Sequence, residues 1–117
     1  MARSRAFSGD VSQWEEPDWA PLETLVGYDV ADDFMWMHEV RLTDGSLVEA
    51  YKHIDTRRYI HADSEGRTFS YEPSDRYREV PPADLVGAVF ATFPGLAGVT
   101  EERVAWARRA VERLQRG

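Results

Sequence analysis

Two turn signals, Thr43-Asp44-Gly45-Ser46 and Ser64-Glu65-Gly66, constrain this chain more than any other feature. Each carries the glycine that a tight hairpin needs, and each lies between strand-like segments, residues 34–42 and 47–54 around the first and 58–63 and 67–72 around the second. Reading Thr43-Asp44-Gly45 as the loop sets Val40 opposite Val48 and His38 opposite Ala50, whereas a shorter Asp44-Gly45 loop sets Val40 against Glu49. The longer loop is the better one. It gathers Trp36, Val40, Leu42, Val48, Ala50 and Ile54 on one face and leaves Met37, Glu39, Arg41, Glu49, Tyr51 and His53 on the other. In the second hairpin the corresponding loop pairs Asp63 with Arg67, His61 with Phe69 and Tyr59 with Tyr71. A loop one residue longer would instead bury Ile60 and Ala62 beside Phe69 and Tyr71, and the sequence leaves both registers open.

Helical periodicity flanks the hairpins. Pro21 followed by Leu22, Leu25 and Val26 predicts a short helix near 20–29, with Asp29, Asp32 and Asp33 in the connection to the first strand. Leu85, Val86, Val89, Phe90 and Phe93 predict a helix near 83–93, closed by Pro94-Gly95. Thr100 as N-cap, Glu101 and Glu102 in the first turn and Arg113 and Arg116 near the end predict a last helix over 100–116. Residues 1–16 show no apolar period and read as a flexible or loosely docked arm ahead of a single domain over 17–117. The expected fold class is therefore α+β: an N-terminal short helix, a four-stranded antiparallel β-meander, and two C-terminal helices packed on one sheet face.

Composition narrows the function. The 117 residues suit one domain, and 43% hydrophobic with 12% aromatic residues is enough for a packed core. There is no cysteine, which removes thiolate chemistry and fits a reducing compartment, so a cytoplasmic protein with no membrane association is expected. Net charge is −7, concentrated in residues 1–33, where eight acids stand against two arginines, so nucleic acid is not an expected partner without a local basic face. No nucleophile elbow, phosphate loop or dinucleotide fingerprint occurs. The spacing of His38, His53 and His61 matches no metal-ligating pattern, and no metal or cofactor is expected.

The segment 51–61 is the most distinctive chemically. It concentrates Lys52, His53, Arg57, Arg58, Tyr59 and His61, and hairpin pairing brings Tyr71 toward them. Arginine forks suit phosphate or carboxylate, and tyrosine or histidine can stack on a ring, so these residues are the candidate ligand or partner site. The bland alternative is a set of solvated bases paired with Glu49, Asp55 and Glu72. Met35 and Met37 are expected beneath the N-terminal helix, and the acidic–aromatic Trp14–Trp19 piece is expected to fold back on its own domain. The leading expectation is a non-enzymatic module binding a protein partner or a second copy of itself. The alternatives are an anionic small-molecule or nucleotide binder, catalytic or not, and a nucleic-acid binder.

Overall fold

The computed structural model describes residues 6–11 and 16–116. Six strands, β1 (Ala6–Val11), β2 (Phe34–Leu42), β3 (Leu47–His53), β4 (Tyr59–Asp63), β5 (Thr68–Glu72) and β6 (Arg76–Val80), close into an antiparallel barrel in chain order. Between β1 and β2 come helices α1 (Ala20–Val26) and α2 (Tyr28–Ala31); after β6 come α3 (Pro82–Val89), a 3-10 turn (Phe93–Gly95) and α4 (Glu101–Arg116).

This corrects the expected four-stranded meander with helices on one sheet face. The difference lies in two strands. Ala6–Val11, inside the segment read as an arm, pairs with β2 through Val11–Val40 and with β6 through Phe7–Tyr77, so the sheet keeps no free edge. Gly9 permits the closure: a Cβ there would sit 2.7 Å from Val40 Cγ1 and 2.9 Å from Leu42 Cδ2. β6 occupies residues expected to lead into a helix.

Closure creates two cores. Phe7, Val40, Leu42, Val48, Phe69 and Tyr77 fill the barrel interior. Outside, Leu22, Leu25, Val30, Val86, Val89, Phe93 and Ala107 of the helices and their connections pack with Tyr51, Ile60 and Ala62 of β3 and β4. β3 is thereby buried on both faces, which overturns the reading of Tyr51 and His53 as the polar side. Both are fully buried, and Ile54, expected in the core, is 43% exposed.

The first hairpin has the expected register, Val40 opposite Val48 and His38 opposite Ala50. A bulge between Trp36 and His38 then brings Trp36 opposite Tyr51, so Trp36 leaves the interior for the outer core. Met35 and Met37 are partly exposed instead of covered. In the second hairpin His61 faces Phe69, the shorter-loop register, and Ile60 and Ala62 point to the helices.

The last helix begins where Thr100 predicts, but the helix expected near 83–93 stops at Val89, Pro94-Gly95 lies in the 3-10 turn, and Asp29, expected in the connection to the first strand, falls inside α2. Asp18 Oδ1 accepts the Ala20 amide at 3.1 Å, and Thr100 Oγ1 accepts the Arg103 amide at 3.2 Å. Gly27, at φ 86°, separates α1 from α2. Arg103 ties α4 to the barrel by bonding Asp33 at 2.9 Å and Asp55. Trp19 packs against Tyr51, with ring centroids 5.6 Å apart; Trp14 lies outside the described residues.

Candidate functional site

The interior is not filled evenly from end to end. At one end Arg67 lies over the rings of Phe7 and Phe69, bonds Asp63 at 2.7 Å and Ser46 at 2.6 Å, and pairs with Asp44. This network caps the barrel.

At the other end the wall opens. β4 and β5 pair through His61–Phe69 and Ala62–Thr68, and no pairing extends to Tyr59 and Tyr71. The strands part there, over a cavity of about 530 Å³. Its lining comes from nearly every side: Val11 of β1, His38 of β2, Tyr59 and His61 of β4, Phe69, Ser70 and Tyr71 of β5, Tyr77 of β6, Asp75 of the β5–β6 turn and Leu85 of α3. No residue of β3 lines it; the small Ala50 is the strand neighbour of both His38 and His61.

The aromatic rings form a continuous set. Tyr59 and His61 lie nearly parallel with centroids 5.7 Å apart, and His61 and Tyr71 likewise at 6.3 Å. Tyr77 meets Tyr71 at 5.2 Å and His61 at 5.3 Å, and the His38 ring is 6.5 Å from that of His61. Burial, with the neighbouring His38, pushes His61 down to about 4, so the imidazole is neutral at physiological pH and offers one N–H and one lone pair. Burial also raises the Tyr77 phenol to about 12, helped by the charges of Tyr71, Asp75 and Asp10. The Tyr71 hydroxyl donates to Asp75 Oδ1 at 3.0 Å.

The structure therefore divides the seven residues singled out in the sequence. Tyr59, His61 and Tyr71 meet in the cavity. Lys52 stands at its edge, strand partner of Tyr59, with its ammonium 5.8 Å from the Tyr59 centroid. Arg57 and Arg58 are exposed on the β3–β4 connection and do not line it. His53 lies elsewhere, in the outer core, its ring edge-to-face with Phe34, Phe90 and Phe93 at 4.9–5.2 Å. His53 Nδ1 accepts the amides of Asp55 and Thr56 at 3.1 and 3.2 Å, which makes it the internal cap of the β3–β4 connection. The anion site expected from residues 52–61 is thus not assembled as one cluster.

Sequence reasoning missed His38, Asp75 and Tyr77. His38 had a signal: its register opposite Ala50, extended one strand further, reaches His61. Asp75 and Tyr77 had none, because β6 was not foreseen.

Among the described residues no three His, Asp or Glu side chains are grouped to hold a metal ion, and no helix is long and apolar enough to cross a membrane. Comparison with known proteins found no matching family model, no matching curated protein and no matching solved structure.

Proposed function

We propose that this chain is a small-molecule-binding protein whose site is the open end of the barrel. The observation that carries this reading is the cavity itself: about 530 Å³, within the roughly 300–1,000 Å³ of small-molecule sites, aromatic and apolar over most of its lining with a few convergent polar groups. The neutral His61 and the phenols of Tyr59 and Tyr77 supply directional hydrogen bonds, and the rings supply flat contact surface. The ligand class is a compact, partly planar molecule.

The test is a ligand-observed NMR screen of a fragment library against the purified protein, repeated on Tyr71→Ala. Tyr71 is half exposed, so its loss spares the core while removing one wall. Hits weakened at least roughly fivefold by the variant, with an unchanged melting temperature, support the reading. A library without a single hit sensitive to Tyr71→Ala defeats it.

A second reading, self-association, is favoured by the surface around Tyr28, which is 76% exposed. Two adjoining grooves share Tyr28, Asp29 and Trp106. One adds Arg109, Arg113 and Arg116 beside Glu112, and the other adds Glu23 and Asp32. A two-fold axis through Tyr28 would lay the basic groove of one copy on the acidic groove of the other. Light scattering after size-exclusion chromatography, with Tyr28→Glu as the disrupting variant, decides it: a monomer across micromolar concentrations removes this reading.

A further inference from the structure

We infer that the ligand of the barrel mouth carries a positively charged nitrogen, seated at the corner formed by Tyr71, Tyr77 and Asp75. This rests on the small-molecule reading and gives that ligand its charge. The cavity lining contains no lysine and no arginine, and its one carboxylate is Asp75. An anion at the Tyr71–Tyr77 end would lose water beside the Asp75 carboxylate, with the Lys52 ammonium at the Tyr59 ring instead, whereas a cation there meets both a carboxylate and electron-rich rings.

The corner has the geometry a cation seat requires. The Tyr71 and Tyr77 rings stand 5.2 Å apart at 59° to each other, which makes a concave angle. The Tyr71 hydroxyl donates to Asp75 at 3.0 Å, which holds the carboxylate beside the ring and enriches the ring in electrons. Asp75 owes its place to the backbone: it follows Ser74 with both residues at positive φ, 68° and 56°, in the turn that joins β5 to β6. The chain already uses another ring of this set as a cation seat, since the Lys52 ammonium lies 5.8 Å from the Tyr59 centroid. Lys52 takes up the Tyr59 end of the mouth, and that directs an incoming cation to the Tyr71–Tyr77 end.

The experiment compares choline with 3,3-dimethylbutan-1-ol, which replaces the quaternary nitrogen with carbon at nearly the same shape. Each is titrated into the full chain and followed by ¹H–¹⁵N NMR at neutral pH. Choline is expected to bind roughly tenfold more tightly, with the largest shifts at residues 70–77. Asp75→Asn, a residue tolerant of the same left-handed backbone, is expected to weaken choline roughly three- to fivefold and to leave the alcohol unchanged. Equal binding of the two, or preference for the alcohol, overturns the charge assignment and leaves the barrel mouth standing as a neutral site. Binding of neither at tens of millimolar also overturns it, and the fragment screen then decides separately whether the mouth binds anything.

Discussion

Trp36 Nε1 donates a hydrogen bond to Glu49 Oε1 at 2.7 Å, although strand pairing places Trp36 opposite Tyr51 and Glu49 opposite Glu39. The bulge beside Met37 makes the bond possible, because it turns the indole out of the barrel and down along β3. Glu49 is 3% exposed and faces a second carboxyl across the strand, so burial and Glu39 push it up to about 7 in spite of the indole donor. An acid whose folded pKa exceeds its unfolded value binds its proton more readily in the folded state, so its contribution to stability is full at acid pH. It falls as pH rises from the unfolded value near 4.5 to about 7. Glu49→Gln is expected to raise stability at pH 8 by about 1–3 kcal/mol and to change it little at pH 4.5. Urea unfolding of both proteins at the two pH values measures this.

His61 has the opposite sign. Its folded pKa, about 4, lies below the ordinary histidine value of 6.5, so its contribution is full above 6.5 and is lost as pH falls toward 4. His61→Phe keeps a flat ring between Tyr59 and Tyr71 and removes the titration. The variant is expected to lose less stability than the parent between pH 6.5 and 4, by about 1–3 kcal/mol, as read from melting curves across that range.

His53 joins two functions that substitutions can separate. Its Nδ1 caps the amides of Asp55 and Thr56, so the proton resides on Nε2, and its ring fills the space among Phe34, Phe90 and Phe93. His53→Asn keeps an acceptor at a similar place and loses the ring; His53→Phe keeps the ring and orphans the amides. Each is expected to cost about 2–4 kcal/mol. Hydrogen exchange tells them apart: the Asp55 and Thr56 amides stay protected in the asparagine variant and exchange faster in the phenylalanine one.

Gly9→Ala should loosen the barrel seam. The added methyl would meet Val40, Leu42 and Tyr77 at 2.7–3.0 Å, from two different strands, and none of the three can retreat without disturbing the interior. A cost of about 1–3 kcal/mol is expected in denaturant unfolding, with faster exchange of the amides that β1 shares with β6.

What the sequence made legible was local. Both hairpin loops follow from glycines that sit at φ 89° and 83°, and α4 follows from its cap and its charges. The strands that were missed carry weak patterns for definite reasons. β1 has Gly9 at an inward position where alternation calls for an apolar side chain, because Val40 and Leu42 already occupy that space. β6 points Tyr77 inward between Arg76 and Arg78, and Arg78 bonds Glu72 across the outer surface, so its run of charges resembles a loop. At the site, Tyr59 and His61 stand out by their place in the segment 51–61 and Tyr71 through the hairpin register, which holds at His61–Phe69 though the Tyr59–Tyr71 pair does not form. His53 was grouped with them because closeness in sequence says nothing about which side of β3 becomes interior, and that depends on closure.

Pairing Ala6 with Arg78 and Phe7 with Tyr77 brings together residues from opposite ends of the barrel sequence. The first strand of the barrel is thus the one whose final neighbour is made last. Until then β1 and β5 present unpaired edges to solvent, and a second chain carrying its own Arg76–Val80 could occupy either of them. Slow ring closure and exchange of strands between copies are the kinetic hazards built into such a topology; the first is independent of protein concentration, and the second should rise with it.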